Sequence, residues 1–273
     1  MPKAGLLERI LQPGGVSVLF QPIVDVRQSG DWRIHSVECL ARGPKATNLE
    51  SATLLFEYAR RKHAENQLDL VCVTQAMRHA RALPDGMRFS INVHASTLGR
   101  ERDFAPFLQE LAERQQLDLA RVTIEIVEHL PFWDETGFLR TLGALRCLGV
   151  KIALDDIGIG YSNYRMMLDS QPDYFKIDRY LIEGCHADPR RLIVLESIAQ
   201  LAQRFNAVVV AEGVANEADL EAVRDLGLSL VQGYYFARAM TATDIFDAPM
   251  HNKSLDARRN SLAQYLWQDI VGC

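Results

Sequence analysis

The stretch Lys151–Ile152–Ala153–Leu154–Asp155–Asp156 joins a short, mainly apolar run to two adjacent carboxylates. The same arrangement, an apolar run followed by an acid, recurs at Glu38, Glu125 and Glu212. Parallel barrels build their sites from side chains at the carboxyl ends of several strands. The recurrence therefore predicts a barrel whose strands deliver acids to one end.

Eight runs in the chain have the composition of β-strands. They are Val18–Val26, Ile34–Ala41, Arg88–Val93, Val122–Ile126, Lys151–Leu154, Tyr174–Ile177, Val208–Ala211 and Leu230–Phe236. Helical patterns separate most of them, which favours a parallel sheet that closes on itself. Only residues 25–33 connect the first two runs, too few for a helical crossover of about a dozen residues. The sequence therefore predicts an α/β fold, a modified TIM (β/α)8 barrel with an antiparallel first strand.

Several helices carry recognisable end signals. Apolar residues recur at helical spacing from Phe138 to Leu148, and Gly149 stands where a helix commonly ends. Asp188–Pro189 predicts the start of a helix that runs through Phe205. Asn216 predicts the start of another, which ends at Gly227.

The longest helical stretch is expected between Ser51 and Leu83, and a last amphipathic helix over about 253–269. Packing of that last helix against the barrel is favoured over a membrane or partner role. No linker rich in Pro, Gly or Ser divides the chain. We therefore expect residues 1–273 to form a single domain with a core over about 16–245.

Composition narrows the class of protein. The chain has 273 residues and a formal net charge of -5, which argues against binding of a nucleic-acid polymer. No apolar stretch reaches the roughly 20 residues of a membrane helix, and the first residues lack a signal peptide. A cytoplasmic protein without membrane contact is expected. The five cysteines form no CxxC pair and are read as reduced packing residues, with no special role for the last: Cys39, Cys72, Cys147, Cys185 and Cys273.

An acidic cluster repels itself unless cations balance it, so its expected occupant is a divalent cation with oxygen ligands. Asn92 adds a neutral amide oxygen, and Lys176 adds a charge that can orient a water. On the second strand, Glu38, Leu40 and Arg42 share one face, which places the guanidinium where it can clamp a phosphate. A single strand-end acid is more often a solvated rim residue, but the joint pattern favours a metal site.

The Asp155–Asp156 doublet calls for a break in its strand, because adjacent strand residues point to opposite faces. Gly158 and Gly160 are expected to supply that break. One carboxylate can then bridge two cations while its neighbour completes the second coordination sphere. Paired cations about 3.5–4 Å apart are a common arrangement for hydrolysis of phosphodiesters.

Eight ordered blocks over some 220 residues give the chain a close resemblance to a known family. The blocks are Phe20–Gln21–Pro22–Ile23, Glu38–Cys39–Leu40–Ala41–Arg42, Ser90–Ile91–Asn92–Val93, Glu125–Ile126–Val127–Glu128, Asp155–Asp156–Ile157–Gly158–Ile159–Gly160–Tyr161–Ser162, Phe175–Lys176–Ile177–Asp178, Ala211–Glu212–Gly213–Val214 and Gln232–Gly233–Tyr234. In these residues the chain resembles the EAL-type cyclic di-GMP phosphodiesterase domain of bacteria.

The resemblance implies hydrolysis of cyclic di-GMP to linear pGpG with two Mg²⁺ or Mn²⁺ ions, and inhibition by Ca²⁺. It implies that one metal is held by Glu38, Asn92, Glu125 and Asp155, and the second by Asp155, Asp156 and Glu212. It also implies that Lys176 and Gln232 position the attacking water. Residues implied to lie by the substrate are Gln21, Leu40, Arg42 and Asp178. A homodimer is implied, and a protein regulator is a further possible partner.

The chain departs from the family pattern at a few positions. Cys39 replaces an alanine and is expected to face the helical layer, and Val127 replaces a threonine. In the loop after the doublet, Ile157 and Ile159 replace phenylalanine and threonine. Glu128 is implied to anchor this loop through polar contacts, which an isoleucine at 159 cannot make.

These departures leave two alternatives to the enzyme. The altered loop is the feature that favours a receptor that binds cyclic di-GMP without cutting it and signals through a partner. A regulator that binds no nucleotide is the third hypothesis. All of the implied metal ligands are present, so an active enzyme is the leading expectation.

Overall fold

Eight strands form a closed barrel in the computed structural model, which describes residues 5–28, 32–101, 103–127, 134–159 and 164–247. The strands are β1 (Ser17–Asp25), β2 (Arg33–Arg42), β3 (Arg88–His94), β4 (Val122–Val127), β5 (Lys151–Ile157), β6 (Tyr174–Ile177), β7 (Val208–Ala211) and β8 (Leu230–Val231). β1 runs antiparallel to both of its neighbours, β2 and β8, and the other neighbours pair in parallel. The predicted modified barrel is confirmed.

Helices surround the barrel. They are α1 (Leu6–Leu11), α2 (Ala52–Arg61), α3 (Glu65–Ala80), α4 (Ala95–Arg100), α5 (Phe104–Gln115), α6 (Glu135–Cys147), α7 (Tyr164–Ser170), α8 (Arg179–Ile182), α9 (Pro189–Arg204), α10 (Glu217–Asp225) and α11 (Ala242–Asp247). No helix in the described ranges is both long and apolar enough to cross a membrane.

The predicted helix ends are confirmed. Gly149, just beyond α6, has φ +82°, a left-handed conformation that glycine adopts without strain. The Asp188 side chain accepts a hydrogen bond from the backbone N–H of Arg190 at 2.9 Å, at the start of α9. Asn216 does the same for Asp219 at 2.9 Å, at the start of α10. The predicted helix over 253–269 lies outside the described residues.

The predicted bounds of the last strand were wrong, and the helical stretch expected between Ser51 and Leu83 is present but divided. The last strand ends at Val231 and does not reach Phe236, because the chain turns at Gly233. A Cβ at that glycine would lie 2.1 Å from the carbonyl oxygen of Val214, so only glycine allows this close approach. The helical stretch between Ser51 and Leu83 is two helices, since His63 has φ +55° and interrupts it.

Most of the apolar core lies between the barrel and its helices. Cys39 is buried in this outer core, as its alternation with Glu38 predicted. A second, smaller cluster packs α1 against α2 and α3, and its members include Ile10, Leu55 and Leu68. Of the cysteines, the four that are described are all free.

The interior of the barrel is organised in two layers, because side chains two positions apart on a strand share a face. We call the first the upper layer, which lies toward the carboxyl ends of β2 to β8. Its members are Gln21, Glu38, Asn92, Glu125, Asp155, Lys176, Glu212 and Gln232. We call the second the floor, which lies two residues away on every strand. Its members are Ile23, Ser36, Ser90, Thr123, Ala153, Tyr174, Val210 and Leu230.

Candidate active site

The ammonium group of Lys176 lies at the centre of the upper layer, where four carboxylates converge on it. Its Nζ is 2.6 Å from Glu125 Oε2 and 2.6 Å from Glu212 Oε1. It is 3.4 Å from both Glu38 Oε2 and Asp155 Oδ1. Lys176 and Glu125 are each only 1% exposed. Four separate strands therefore deliver their acids to one buried point.

Two amide side chains fix the orientation of Glu38. Asn92 donates from Nδ2 to Glu38 Oε1 at 2.7 Å, and Gln232 donates from Nε2 to Glu38 Oε2 at 2.8 Å. One carboxylate oxygen is thus held from β3 and the other from the residue that directly follows β8. The amide oxygen of Gln232, Oε1, is buried and has no hydrogen-bond partner among the described residues.

The upper layer carries more negative charge than Lys176 can balance. Burial, with the charge of Glu38 beside it, raises the pKa of Glu125 to about 8. Burial also raises the pKa of Asp155, and it raises that of Glu212 well above its usual value. For Glu38, burial works in the same direction, but Lys176 and the two amides outweigh it and lower the pKa. Further positive charge would let all four acids ionise together.

The donor set fits a divalent cation of the hard kind, which prefers carboxylate and amide oxygens. Carboxylates from four strands, the carbonyl of Asn92 and the buried Gln232 Oε1 provide such oxygens. Within the described ranges, no three His, Cys, Asp or Glu side chains form a ready-made metal cage, since the carboxylates are arranged around Lys176. Binding of metal would therefore require the carboxylates to share their oxygens between Lys176 and the ion.

The Asp155–Asp156 doublet is contained within β5, which corrects the prediction that the strand ends at Leu154. The strand breaks internally: its register with β6 shifts between Leu154 and Ile157, and Asp156 has φ +54°. Gly158, which was expected to supply the break, also has a positive φ of +102°, and Gly160 lies outside the described residues. The left-handed conformation of Asp156 turns the backbone before either glycine. The conformation costs on the order of 1 kcal/mol in a non-glycine residue. Burial, together with the charge of Asp155, raises the pKa of Asp156 to about 6.

Three of the predicted substrate residues, Gln21, Arg42 and Asp178, each form a hydrogen bond with a backbone group. Gln21 donates from Nε2 to the Ala237 carbonyl at 3.2 Å, and Arg42 donates from Nη1 to the Ala41 carbonyl at 2.9 Å. Asp178 caps α8, because its carboxylate accepts from the Tyr180 N–H at 2.6 Å. Glu128, the expected loop anchor, lies outside the described residues.

A cavity of about 490 Å³ opens above the acids. Leu40 lines it with Glu38, Asn92, Asp155 and Asp156, and α2 forms its opposite wall. Sequence reasoning missed three further residues that line this cavity, namely Phe56 and Arg60 on α2 and His94 at the end of β3. His94 could have been found by alternation, since it lies two residues beyond Asn92 on β3. Phe56 and Arg60 could not, because no local pattern shows which helix face meets the barrel.

His94 is itself held by a buried acid on α3. Its Nδ1 lies 2.9 Å from Asp69 Oδ1, and its backbone N–H donates to Asp69 Oδ2 at 3.1 Å. The hydroxyl of Thr97 donates to the same carboxylate. Asp69, which is fully buried, therefore fixes the end of β3 where the cavity opens.

Fold and site together define a modified TIM barrel with a single acidic layer at its carboxyl end. The family model described as "EAL domain" matches residues 5–239. The chain belongs to the EAL domain family.

Solved structures of this family share the fold. A standalone versatile EAL protein from Vibrio cholerae O395, in its c-di-GMP bound form, is 30% identical with a TM-score of 0.72; the match covers 83% of this chain and 93% of that one. Klebsiella pneumoniae BlrP1, in a manganese and cyclic di-GMP complex, is 28% identical with a TM-score of 0.73; the match covers 85% of this chain and 57% of that one.

Curated relatives are similar over most of this chain. The probable cyclic di-GMP phosphodiesterase PdeG of Escherichia coli K12 is 28% identical, over 88% of this chain and 48% of its own length. The cyclic di-GMP phosphodiesterase NbdA of Pseudomonas aeruginosa is 28% identical, over 86% of this chain and 30% of its own length. The chain thus spans less than half the length of these two relatives.

Proposed function

We propose that this chain is a metal-dependent phosphodiesterase that hydrolyses cyclic di-GMP to linear pGpG. The observation that carries the proposal is the upper layer, in which four strands bring four acids around Lys176. Relatives named as cyclic di-GMP phosphodiesterases, and neighbours bound to cyclic di-GMP, support the choice of substrate. This activity would lower the level of the second messenger.

The proposed metals are Mg²⁺ or Mn²⁺, in two sites. Glu38, Asn92, Glu125 and Asp155 would hold the first ion, and Asp155, Asp156 and Glu212 the second. A divalent cation would supply charge to activate water and to stabilise the leaving oxygen. The turn at Asp156 supports this division, because it gives the doublet two directions from one strand.

Lys176 and Gln232 are proposed to hold the attacking water. Lys176 keeps its proton because the surrounding carboxylates raise its pKa well above the usual value, although burial alone would lower it. It therefore acts as a hydrogen-bond donor and a fixed positive charge. In the reaction, the water oxygen forms a bond to phosphorus and the water gives up a proton. One bond from phosphorus to a ribose oxygen breaks, and that oxygen takes up a proton.

The substrate is proposed to lie in the cavity above the upper layer. Arg42, half-buried at the end of β2, would contact a phosphate, since a guanidinium matches two phosphate oxygens. Gln21, Leu40 and Asp178 would lie beside the dinucleotide. The hydrogen bonds that Gln21 and Arg42 make to backbone carbonyls would be exchanged for bonds to the ligand.

The test is incubation of the purified chain with cyclic di-GMP and Mg²⁺ or Mn²⁺, followed by chromatographic separation of the nucleotides. Formation of pGpG is expected, with none in Glu38→Ala. Glu110→Ala is the matched control, because Glu110 is an exposed acid on α5 that pairs with Arg114. A Glu38→Ala variant that keeps the wild-type rate would show that the site assignment is wrong.

Binding without cleavage would replace the enzyme by a receptor. Tight binding of cyclic di-GMP, with no pGpG in either metal, is the outcome that would establish the receptor. Failure to bind cyclic di-GMP in Ca²⁺, where hydrolysis is expected to be blocked, would favour a regulator that binds no nucleotide.

A further inference from the structure

The floor of the barrel is divided into an apolar half and a polar half. Ile23, Val210 and Leu230 form a separate buried apolar cluster, with Tyr174 packed against it. On the other side, β2, β3 and β4 contribute three adjacent hydroxyl groups, those of Ser36, Ser90 and Thr123. Hydroxyl groups in a barrel interior need hydrogen-bond partners.

Ser90 lacks such a partner within the part of the chain that the structure describes. The residue is 4% exposed, and its Oγ is buried with no hydrogen bond. A buried hydroxyl without a partner loses its bonds to water and gains nothing in exchange. Ser90 pairs with Glu38 across β2 and β3 and with Thr123 across β3 and β4. Its side chain therefore lies beside Glu38, and it lines the same small chamber as Glu125 and Lys176.

A small chamber lies at this point, between the floor and the upper layer. It has a volume of about 20 Å³, and both Ser90 and Thr123 line it. Glu125 and Lys176 line it from above. A buried water needs roughly 10–15 Å³ and two to four polar partners. The chamber therefore has room for one water and offers it enough partners.

Two further polar side chains, those of His35 and Tyr174, line the chamber toward the amino ends of the parallel strands and can form a chain of hydrogen bonds. His35 Nε2 lies 3.4 Å from the Tyr174 hydroxyl, and both residues line the chamber. Burial, with the charge of Arg88 added, lowers the pKa of His35. A neutral imidazole has one donor and one acceptor nitrogen, as a chain of hydrogen bonds requires. Ser36, Thr123 and Tyr174 are half-buried, so this end is open to solvent.

We propose that the chamber binds one water molecule, held by Ser90 and by the Lys176–Glu125 pair, which exchanges with solvent through the amino-terminal end of the barrel. This water would accept a hydrogen bond from Lys176 on the side that faces away from the ligand cavity. A substrate that fills the upper cavity would leave this second route to solvent open. The role in turnover rests on the proposed phosphodiesterase activity, whereas the water site itself does not.

The direct test is a high-resolution crystal structure of the full chain and of two variants. In the wild type, we expect a density peak within hydrogen-bond distance of Ser90 Oγ. In Ser90→Val, the two methyl groups occupy the chamber and the peak is absent. Ser90→Ala is the second variant in case the larger side chain prevents folding, and it should weaken or remove the peak. An empty wild-type chamber, in a map that shows other buried waters, would overturn the proposal.

The role in turnover is tested with the same variants. Ser90→Val should lower kcat by about tenfold, the effect of a lost hydrogen bond to a charged group, with KM unchanged within about twofold. Thr74→Val is the control, because it removes a hydroxyl that bonds only to its own helix, at Leu70 O. A Ser90→Val variant that lacks the water but keeps the wild-type kcat would overturn the role. Absence of turnover in the wild type would refute the proposed function, while the density peak would still decide the water site.

Discussion

The two interior layers of the barrel differ sharply, although they lie only two residues apart on every strand. The upper layer gathers four acids, one lysine and three amides, and the pKa values of Glu125, Asp155 and Glu212 are all raised. The floor gathers four aliphatic residues, three hydroxyls and a tyrosine, and none of these is an acid. The same strands thus build two environments of opposite character.

The difference indicates that the apolar residues that stabilise the fold and the acids proposed to carry the chemistry lie at different levels along the barrel axis. The floor contributes burial of apolar surface, which stabilises the fold. The upper layer holds like charges together at a cost in free energy, which added cations can offset. Strained or electrostatically unfavourable arrangements are expected at sites selected for function. Substitutions in the upper layer and in the apolar half of the floor, formed by Ile23, Val210 and Leu230, should therefore have opposite signatures.

The largest effect is expected from Lys176→Met in the upper layer. Removal of the charge on which four carboxylates converge should lower kcat by about 10²–10³-fold, because a fixed donor at the reacting centre is lost. Steady-state hydrolysis of cyclic di-GMP measures it. Lys151→Met is the matched control, since Lys151 begins β5 and forms an exposed ion pair with Asp173. Near-normal turnover by Lys176→Met would contradict the assignment of the catalytic chemistry to the upper layer.

In the floor, Leu230→Ala should have the opposite signature. Leu230 is 3% exposed and packs with Ile23 and Val210. Its truncation leaves a cavity and should lower the free energy of unfolding by about 2–5 kcal/mol. Urea unfolding measures this loss, while kcat per folded molecule should stay within about threefold. Leu139→Ala, at an exposed leucine on α6, should change stability little. A Leu230→Ala variant as stable as that control would contradict the assignment of the floor.

A smaller effect is expected at Asp219, a buried acid outside the barrel. Burial alone would raise its pKa, but hydrogen bonds from His186, Gly184 and Asn216 lower it to about 2. Because this pKa is below its usual value, its contribution is present above about pH 4 and is lost as pH falls toward 2. The contribution is about 2 kcal/mol at neutral pH.

Urea unfolding at several pH values tests this prediction. Asp219→Asn should lose that stability at pH 7 and show a shallower decline in acid than the wild type. Asp225→Asn, at an exposed acid on the same helix, is the control. Parallel pH profiles for wild type and Asp219→Asn would contradict it. Burial raises the pKa of Glu125, whereas at Asp219 the surrounding hydrogen-bond donors outweigh burial and lower the pKa.

Much of the upper layer could be predicted from the sequence. Each acid follows an apolar run, and the alternation of strand residues then assigns its face, as for Glu38. The short connection before β2 likewise predicted the antiparallel first strand. These are local patterns, so they can be read without knowledge of tertiary packing.

The remaining features depend on tertiary contacts. A break at the Asp155–Asp156 doublet was predicted from strand alternation, but its position at Asp156 could not be, because it depends on the shifted register between β5 and β6. The end of β8 depends on the approach of Gly233 to Val214. Ser90 can be recognised from the sequence only as part of a family motif. That its hydroxyl lacks a hydrogen-bond partner among the described residues follows only from the folded barrel.

The central claim is that the upper layer binds divalent cations, and calorimetric titration of metal-free protein with Mn²⁺ tests it most directly. The wild type should bind two ions per chain, and Glu125→Gln should lose binding at the first site, because a charged oxygen ligand becomes a neutral amide. Glu110→Gln should bind as the wild type does. Equal binding by wild type and Glu125→Gln, or no binding by either, would contradict the account.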